Sequence, residues 1–323
     1  MMKKFVRSIV AFLCFAGLLA QHAAAAYPAR PISVVVGFSA GGPADVVART
    51  VAPALGTALG AAIVIENRPG ADGTIAAAQV ARAQADGYTL LLAPSTHAIN
   101  ASLYKKLPYD PIKGFASIAL IGDSPNIIAV HPSVPARNLE EFVSYAKRGD
   151  SRLNYASTSS VTELATELLN RTAGIRMTKI PYKGAGQAMP ALLSGEVHVM
   201  VSSMLTLMPQ VSAGRVRPLA VTSLKRAEIA PNIPTVAEAG LPGYSASTWY
   251  GLFAPAGVPQ DVVQRLADAM ETVLKDKDVQ ARLAAQGLSM VPEVNSPATF
   301  GAYVQAEAQK WQSVVQAAGI SAD

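Results

Sequence analysis

The chain has 323 residues, half of them apolar, with 27 Lys and Arg against 22 Asp and Glu for a formal net charge of +5. That length holds one large or two medium domains and a sizeable core. There is no basic stripe of the kind nucleic-acid binding requires, and a single cysteine rules out a disulfide framework and Cys-ligated metal sites.

Lys3, Lys4 and Arg7 precede an apolar stretch from Ile9 to Ala20, and small residues follow from Ala23 to Ala26. This is the pattern of a secretory signal over residues 1–26, cut before Tyr27. The apolar stretch falls short of the roughly 20 residues a membrane span needs. Cys14 lies inside it, and Leu13 before it is too large for a lipoprotein cleavage site. The expected mature protein is exported, periplasmic and soluble. Loss of the signal leaves 24 basic against 22 acidic side chains, a net +2. His97, His131 and His198 show no metal-ligand spacing, so neither a metal nor a cofactor is expected.

Ile32–Phe38 reads as the first strand. Ser39-Ala40-Gly41-Gly42 follows, then a helix from Pro43, a residue suited to a first helical turn. Ala62–Glu66 is a second strand, Asn67-Arg68-Pro69-Gly70 a turn, and a helix runs to about Ala83. Asp86-Gly87 turns the chain into a third strand, Tyr88–Ala93. Strands this continuously apolar are buried on both faces, which points to parallel sheets covered by helices on either side. Ile127–Val130 is the next strand. Asn138-Leu139-Glu140-Glu141 resembles a capping box opening a helix through Lys147. Leu153–Ser157, Met177–Pro181, Val197–Val201, Leu219–Thr222 and Ser247–Ala254 are further strands, and Gly195 and Gly214 fit helix ends. Two amphipathic helices close the chain. One carries Val262, Leu266, Met270 and Val273 on a face, the other Phe300, Val304, Trp311 and Val315, and both stripes read as core.

No linker separates the two sets of strands. The expected fold is therefore α/β with two lobes, their parallel-rich sheets joined by crossing strands at Ile121–Asn126 and Ser247–Leu252. Lobe 1 would take residues 27–123 plus 252–323, and lobe 2 residues 124–251.

Ligands of parallel α/β sheets bind beyond the carboxyl ends of the strands. Four segments rich in Gly, Ser or Thr fall there: Phe38-Ser39-Ala40-Gly41-Gly42, Ser95-Thr96-His97 after Pro94, Ser157-Thr158-Ser159, and Ser202-Ser203 read as a loop after Val197–Val201. Each leads into a helix. Each offers N–H groups, hydroxyls and a helix dipole to an anion, and a carboxylate suits such neutral donors. Ser and Thr at these places also cap helices. Four such segments from both lobes favour a site.

Gly37-Phe38-Ser39-Ala40-Gly41 also matches the G-x-S-x-G elbow of serine hydrolases. Against that stand the missing earlier strands, the missing HGGG-like segment and the missing late histidine. No Lys-Ser/Thr follows the glycines, so the loop is not a P-loop.

Tyr27-Pro28-Ala29-Arg30-Pro31-Ile32, Val64-Ile65-Glu66-Asn67-Arg68-Pro69-Gly70, Asp86-Gly87-Tyr88-Thr89-Leu90-Leu91, Thr96-His97-Ala98-Ile99-Asn100, Pro181-Tyr182-Lys183-Gly184 and Tyr250-Gly251-Leu252-Phe253-Ala254-Pro255 follow one another along the chain. Through these segments, and over essentially the whole mature chain, the sequence resembles the extracytoplasmic solute receptors of tripartite tricarboxylate transporters, the Bug-type family. The resemblance implies a Venus-flytrap fold, a small organic carboxylate held without an obligatory arginine, delivery to a membrane permease, and no enzymatic activity. A monomer is expected. An orphan receptor feeding a sensor would carry the same motifs.

The chain departs from the family pattern at three places. Ser157 to Glu163 replaces a Gly-rich stretch with a histidine. Ser202-Ser203 lacks a nearby aspartate for a ligand amine, which favours a plain organic acid. Asp72 interrupts a Gly-Ala-Gly-Gly run, so that loop is left outside the expected site. Phe38 stacks on the ligand or packs in the core. His97 donates to the ligand or supports a helix start. Asp45 belongs to the first helical turn, and Lys183 faces solvent or the ligand's far end. A ligand touching both lobes would favour the closed state.

Overall fold

Short β-branched runs become the inner strands of two five-stranded sheets in the structure, a computed structural model that describes residues 27–148, 152–182 and 184–319. The expected signal, residues 1–26, and Lys183 lie outside the described residues. The first sheet takes β1 (Ile32–Val36), β2 (Ile63–Asn67), β3 (Thr89–Pro94), β4 (Phe115–Ser124) and β10 (Thr248–Pro255), in the order β2-β1-β3-β10-β4. The second takes β5 (Asn126–Val130), β6 (Asn154–Ser157), β7 (Thr178–Pro181), β8 (Val199–Ser203) and β9 (Arg217–Val221), in the order β7-β6-β8-β5-β9.

The sheets are parallel-rich, and each contains one reversed strand. β10 runs antiparallel to β3 and β4, and β5 runs antiparallel to β8 and β9. In both cases the reversed strand is the one that has just arrived from the other sheet. β4 passes through Pro125 straight into β5, and β10 makes the return. The first change of sheet thus falls between Ser124 and Asn126, against an expected limit of 123/124. The second falls before Thr248, against 251/252, so Thr248–Gly251 lie within the first sheet.

Ten α-helices of the described residues cover the sheets: α1 (Pro43–Leu59), α2 (Thr74–Ala81), α3 (Thr96–Leu103), α4 (Leu139–Ala146), α5 (Ser160–Ala173), α6 (Ala185–Ser194), α7 (Met204–Ser212), α8 (Gln260–Lys275), α9 (Lys277–Ala285) and α10 (Pro297–Ala318). Alternate residues of a strand face opposite sides of its sheet. Ile32, Val34 and Val36 of β1 pack with Val47, Val51 and Leu55 of α1 and Leu266 and Met270 of α8. Val35 packs on the other face with Ala76, Ala77 and Val80 of α2. In the second sheet Ile128 and Val130 face one core, and Ile127 and Ala129 the other. Helix cover on both faces is why these runs are apolar without alternation.

Two local expectations change. Asn138 Oδ1 accepts the Glu141 N–H at 2.8 Å, but Glu141 Oε2 reaches back to the Arg137 N–H at 2.7 Å rather than to the Asn138 N–H, and its Oε1 accepts from Asn138 Nδ2 at 3.3 Å. The capping box is therefore open by one residue. The stripe of α10 is a single face serving two cores: Phe300 and Val304 pack against the first sheet, whereas Trp311, Val314 and Val315 pack into the second. Ile99 and Leu103 of α3 join that second core as well.

Helix α10 is pinned where it passes the crossings. Glu307 Oε2 accepts from Trp249 Nε1 at 3.3 Å and from Trp311 Nε1 at 3.0 Å. Its other oxygen pairs with Lys310, whose ammonium also donates to the Ser245 carbonyl at 3.4 Å. Asp123 sits beside this group with Oδ1 sealed from solvent and without a hydrogen-bond partner. Burial pushes its carboxyl up from 3.8 to about 7; the Ser247 hydroxyl and Lys310 pull the other way and the Glu307 charge adds to the rise.

The unfolded chain releases that proton near pH 3.8 and the folded one near 7. The stability contributed by protonated Asp123 is therefore lost as pH rises from about 4 to about 7. Asp123→Asn, neutral throughout, will gain stability relative to the parent between pH 5 and pH 8 in urea unfolding. An equal difference at both pH values contradicts the assignment.

Candidate functional site

The carboxyl ends of β1 and β3 in the first sheet and of β6 and β8 in the second open onto one cavity of about 360 Å³. Helices α1, α3, α5, α6 and α7 all begin at its wall, represented there by Pro43, Thr96, Val161, Ala185 and the Ser203 cap. The first N–H groups of a helix have no partner within it, and its dipole makes that end positive. Five such ends from two lobes face the same space. Among the described wall residues no Lys or Arg occurs. The cavity's attraction for an anion thus comes from backbone and hydroxyls rather than from a cationic side chain.

The loop after β1 owes its shape to a buried carboxylate. Asp45, 2% exposed, accepts the Gly41 N–H at 2.8 Å, Arg49 Nε at 2.9 Å and Asn67 Nδ2 at 2.9 Å. Asn67 Nδ2 also donates to the Phe38 carbonyl at 3.1 Å. Burial opposes charge on Asp45, but Arg49, the Gly41 N–H and Asn67 together hold its carboxyl below the ordinary value. Asp45 does lie in the first turn of α1, and its work there is on the loop. Gly37 lies so close to the 3₁₀ turn Ala71–Gly73 that a Cβ on it would stand 2.6 Å from Gly73 Cα. Gly41 has φ +77°, in the left-handed region that favours glycine.

In the facing lobe Ser159 caps α5. Its Oγ accepts the Thr162 N–H at 3.4 Å, and Thr162 Oγ1 lies 3.0 Å from Ser159 Oγ and 3.2 Å from Thr158 Oγ1. Ser203 Oγ shares a hydrogen bond with Thr206 Oγ1 at 2.9 Å. Ser202 and Ser203 are the last residues of β8, not a loop after it.

Of the residues expected at the site, Phe38, Ser39, Gly42, Thr96, Thr158, Ser159, Ser202 and Ser203 line the cavity. Ala40, Gly41, Ser95, His97 and Ser157 do not, each for a reason. The Gly41 N–H is committed to Asp45, and neighbouring Ala40 lies on the exposed turn. Ser157 Oγ turns to Glu163 Oε2 at 2.6 Å, and Glu163 is held in turn by Lys179 at 2.7 Å. Ser95 is fully buried, its N–H donating to the Trp249 carbonyl at 2.9 Å. His97 is 3% exposed, packed edge-on to Phe115 and tilted against Phe253 at centroid separations of 4.7 and 4.8 Å. Burial lowers its pKa to about 4 against the opposing pull of the Pro111 backbone, so the ring is neutral at pH 7.

The structure adds residues that sequence reasoning passed over. Asn126 and Thr248, the first residues of the two reversed strands, line the cavity together with Tyr250. Asn126 Nδ2 donates to the Ala246 carbonyl at 3.3 Å and to Thr248 Oγ1 at 3.4 Å, which ties one crossing to the other. Their place within the expected crossings was the available signal. Asp72 also lines the cavity, against its exclusion from the expected site. The 3₁₀ turn that contacts Gly37 carries it there.

Ser39 is exposed, and its carbonyl accepts the Gly42 N–H at 3.1 Å. The described histidines are engaged elsewhere: His97 with Pro111, His131 with Ser133 at 2.8 Å, and His198 Nδ1 with the Asn154 N–H at 3.0 Å. G-x-S-x-G here is a turn that brings strand and helix together. Among the described residues no group of three or more His, Cys, Asp or Glu is placed to hold a metal, and no helix is long and apolar enough to cross a membrane.

The model of the tripartite tricarboxylate transporter family receptor matches residues 47–320. Protein BugT of Bordetella pertussis is 33% identical over 322 residues, 98% of each chain. Among solved structures, the periplasmic binding protein BugD aligns with a TM-score of 0.77 at 35% identity, covering 91% of this chain and 99% of that one. MatC of Rhodopseudomonas palustris, solved with bound malate, aligns with a TM-score of 0.76 at 37% identity, over 90% of this chain and all of MatC.

Asp45→Ala strips three donors of their buried acceptor, a loss of about 1–3 kcal/mol in stability. Urea unfolding at pH 7 reads it directly; a change below 0.5 kcal/mol contradicts the role given to Asp45.

Proposed function

The chain belongs to the tripartite tricarboxylate transporter receptor family, and on that premise we propose that it is a periplasmic receptor for a small organic carboxylate. The observation that carries the reading is the meeting of five helix N-termini from two lobes around a cavity whose wall mixes Ser and Thr hydroxyls with apolar side chains. The ligand carboxylate takes N–H and O–H donors from Ser39 and Thr96 on one side and from Thr158, Ser159, Ser202 and Ser203 on the other. The malate bound by MatC belongs to the same chemical class.

Capture proceeds by closure. A ligand that bonds both lobes stabilises the closed arrangement by its differential affinity. Asn126 and Thr248 lie at the floor where the crossing strands bend, so the ligand sits on the hinge itself. The closed form then docks on a membrane permease, which takes up the acid unchanged. Residues 1–26 direct export and are removed as the chain is translocated. The receptor acts as a monomer and performs no chemistry.

A thermal-shift screen over mono-, di- and tricarboxylates and aromatic acids tests the reading, because a ligand present at 100 times its Kd adds about 2.7 kcal/mol to folding stability. At least one acid will raise Tm by several degrees and lower the radius of gyration in solution scattering. Ser202→Ala removes a hydrogen bond to a charged group and will weaken that acid by about tenfold to 100-fold in calorimetry. A panel in which no acid raises Tm overturns the proposal.

A further inference from the structure

We propose that Asp72 makes the cavity selective for acids that also carry a protonated amine. The inference rests on the carboxylate-receptor reading and names the ligand class within it. Asp72 is the one charged residue among the described residues that line the cavity. No described residue donates a hydrogen bond to its carboxylate or forms an ion pair with it; the one bond at this residue is the Asn100 Nδ2 donated to its main-chain carbonyl at 3.1 Å. The described protein therefore supplies no counter-charge to this carboxylate at the cavity wall.

The backbone holds it there at a cost. Asp72 has φ 50° and ψ 34°, and Ala71 before it φ 46°, a left-handed pair in which neither residue is glycine. Asn100, which fixes this turn, is 1% exposed and sits on α3, the helix that also brings Thr96 to the wall. A glycine would adopt the same turn without strain, so the side chain is what the turn gains.

Electrostatics then sort the ligands. The helix ends favour one carboxylate. A plain acid placed there meets a second fixed negative charge in a cavity of only about 360 Å³. An α-amino acid presents its ammonium to Asp72 and its carboxylate to the helix ends, so both charges of the zwitterion are met. The absence of an acid beside Ser202-Ser203, read alone, pointed to a plain acid; the facing lobe supplies one instead.

The test is calorimetry on the full mature chain with matched pairs: aspartate and succinate, glutamate and glutarate, alanine and propionate, phenylalanine and 3-phenylpropionate. The tightest ligand will be an amino acid, at least tenfold tighter than its partner without the amine. Asp72→Asn will weaken that amino acid at least tenfold and leave its partner unchanged or tighter. Asp72→Gly, which accepts the φ without strain, gives the same ratio change if the Asn variant folds poorly. A tighter partner acid in the parent protein, or an unchanged ratio in both variants, overturns the proposal. Failure of all eight acids to bind would instead remove the carboxylate reading beneath it.

Discussion

The two crossing strands are the constraint on which the rest depends. A parallel sheet places the N-termini of its following helices at one edge, and each sheet here has such an edge. Nothing in either sheet alone makes the two edges face each other. β4 running into β5, and the chain returning through β10, do so, and the Asn126 side chain joins the two passages at the cavity floor. The reversed strand in each sheet is the topological trace of that arrangement.

Behind the crossings, α10 makes the lobes parts of one body. Its first half belongs to the first core and its second half to the second, and Glu307 between them gathers two indoles and an ammonium. Trp249 and Trp311 are both fully buried, so this bracing is apolar as well as polar. A motion that opens the cleft must bend strands near Pro125 and Ser247 while these contacts persist. The cavity side of the crossings holds the neutral Asn126 amide and Thr248 hydroxyl, and the far side holds the ionisable groups Asp123, Glu307 and Lys310.

Much of this was legible in the residues. The β-branched runs gave both sheets because helices cover both faces, and Gly-Ser-Thr segments marked four strand ends that do reach one cavity. What the sequence hid was direction. Ser157 and Ser202 look alike in sequence, yet the last residue of β6 turns toward Glu163 while the penultimate residue of β8 lines the cavity. His97 sits one place after Thr96 on α3, and one helical step of roughly 100° carries it from the cavity wall into an aromatic nest. Asn126 and Thr248 were read as passage and not as wall, because a strand's role at a hinge depends on which sheet claims it. Asp72 was set aside for breaking a glycine run, and the contact of its turn with Gly37 is invisible in one dimension.

The most direct test of the account is a crystal structure of the mature chain with the tightest-binding acid. The account predicts a carboxylate within hydrogen-bond distance of donors from both lobes at once, Ser39 or Thr96 on one side and Thr158, Ser159 or Ser202 on the other. An acid held by one lobe alone, or bound outside this cleft, would contradict it.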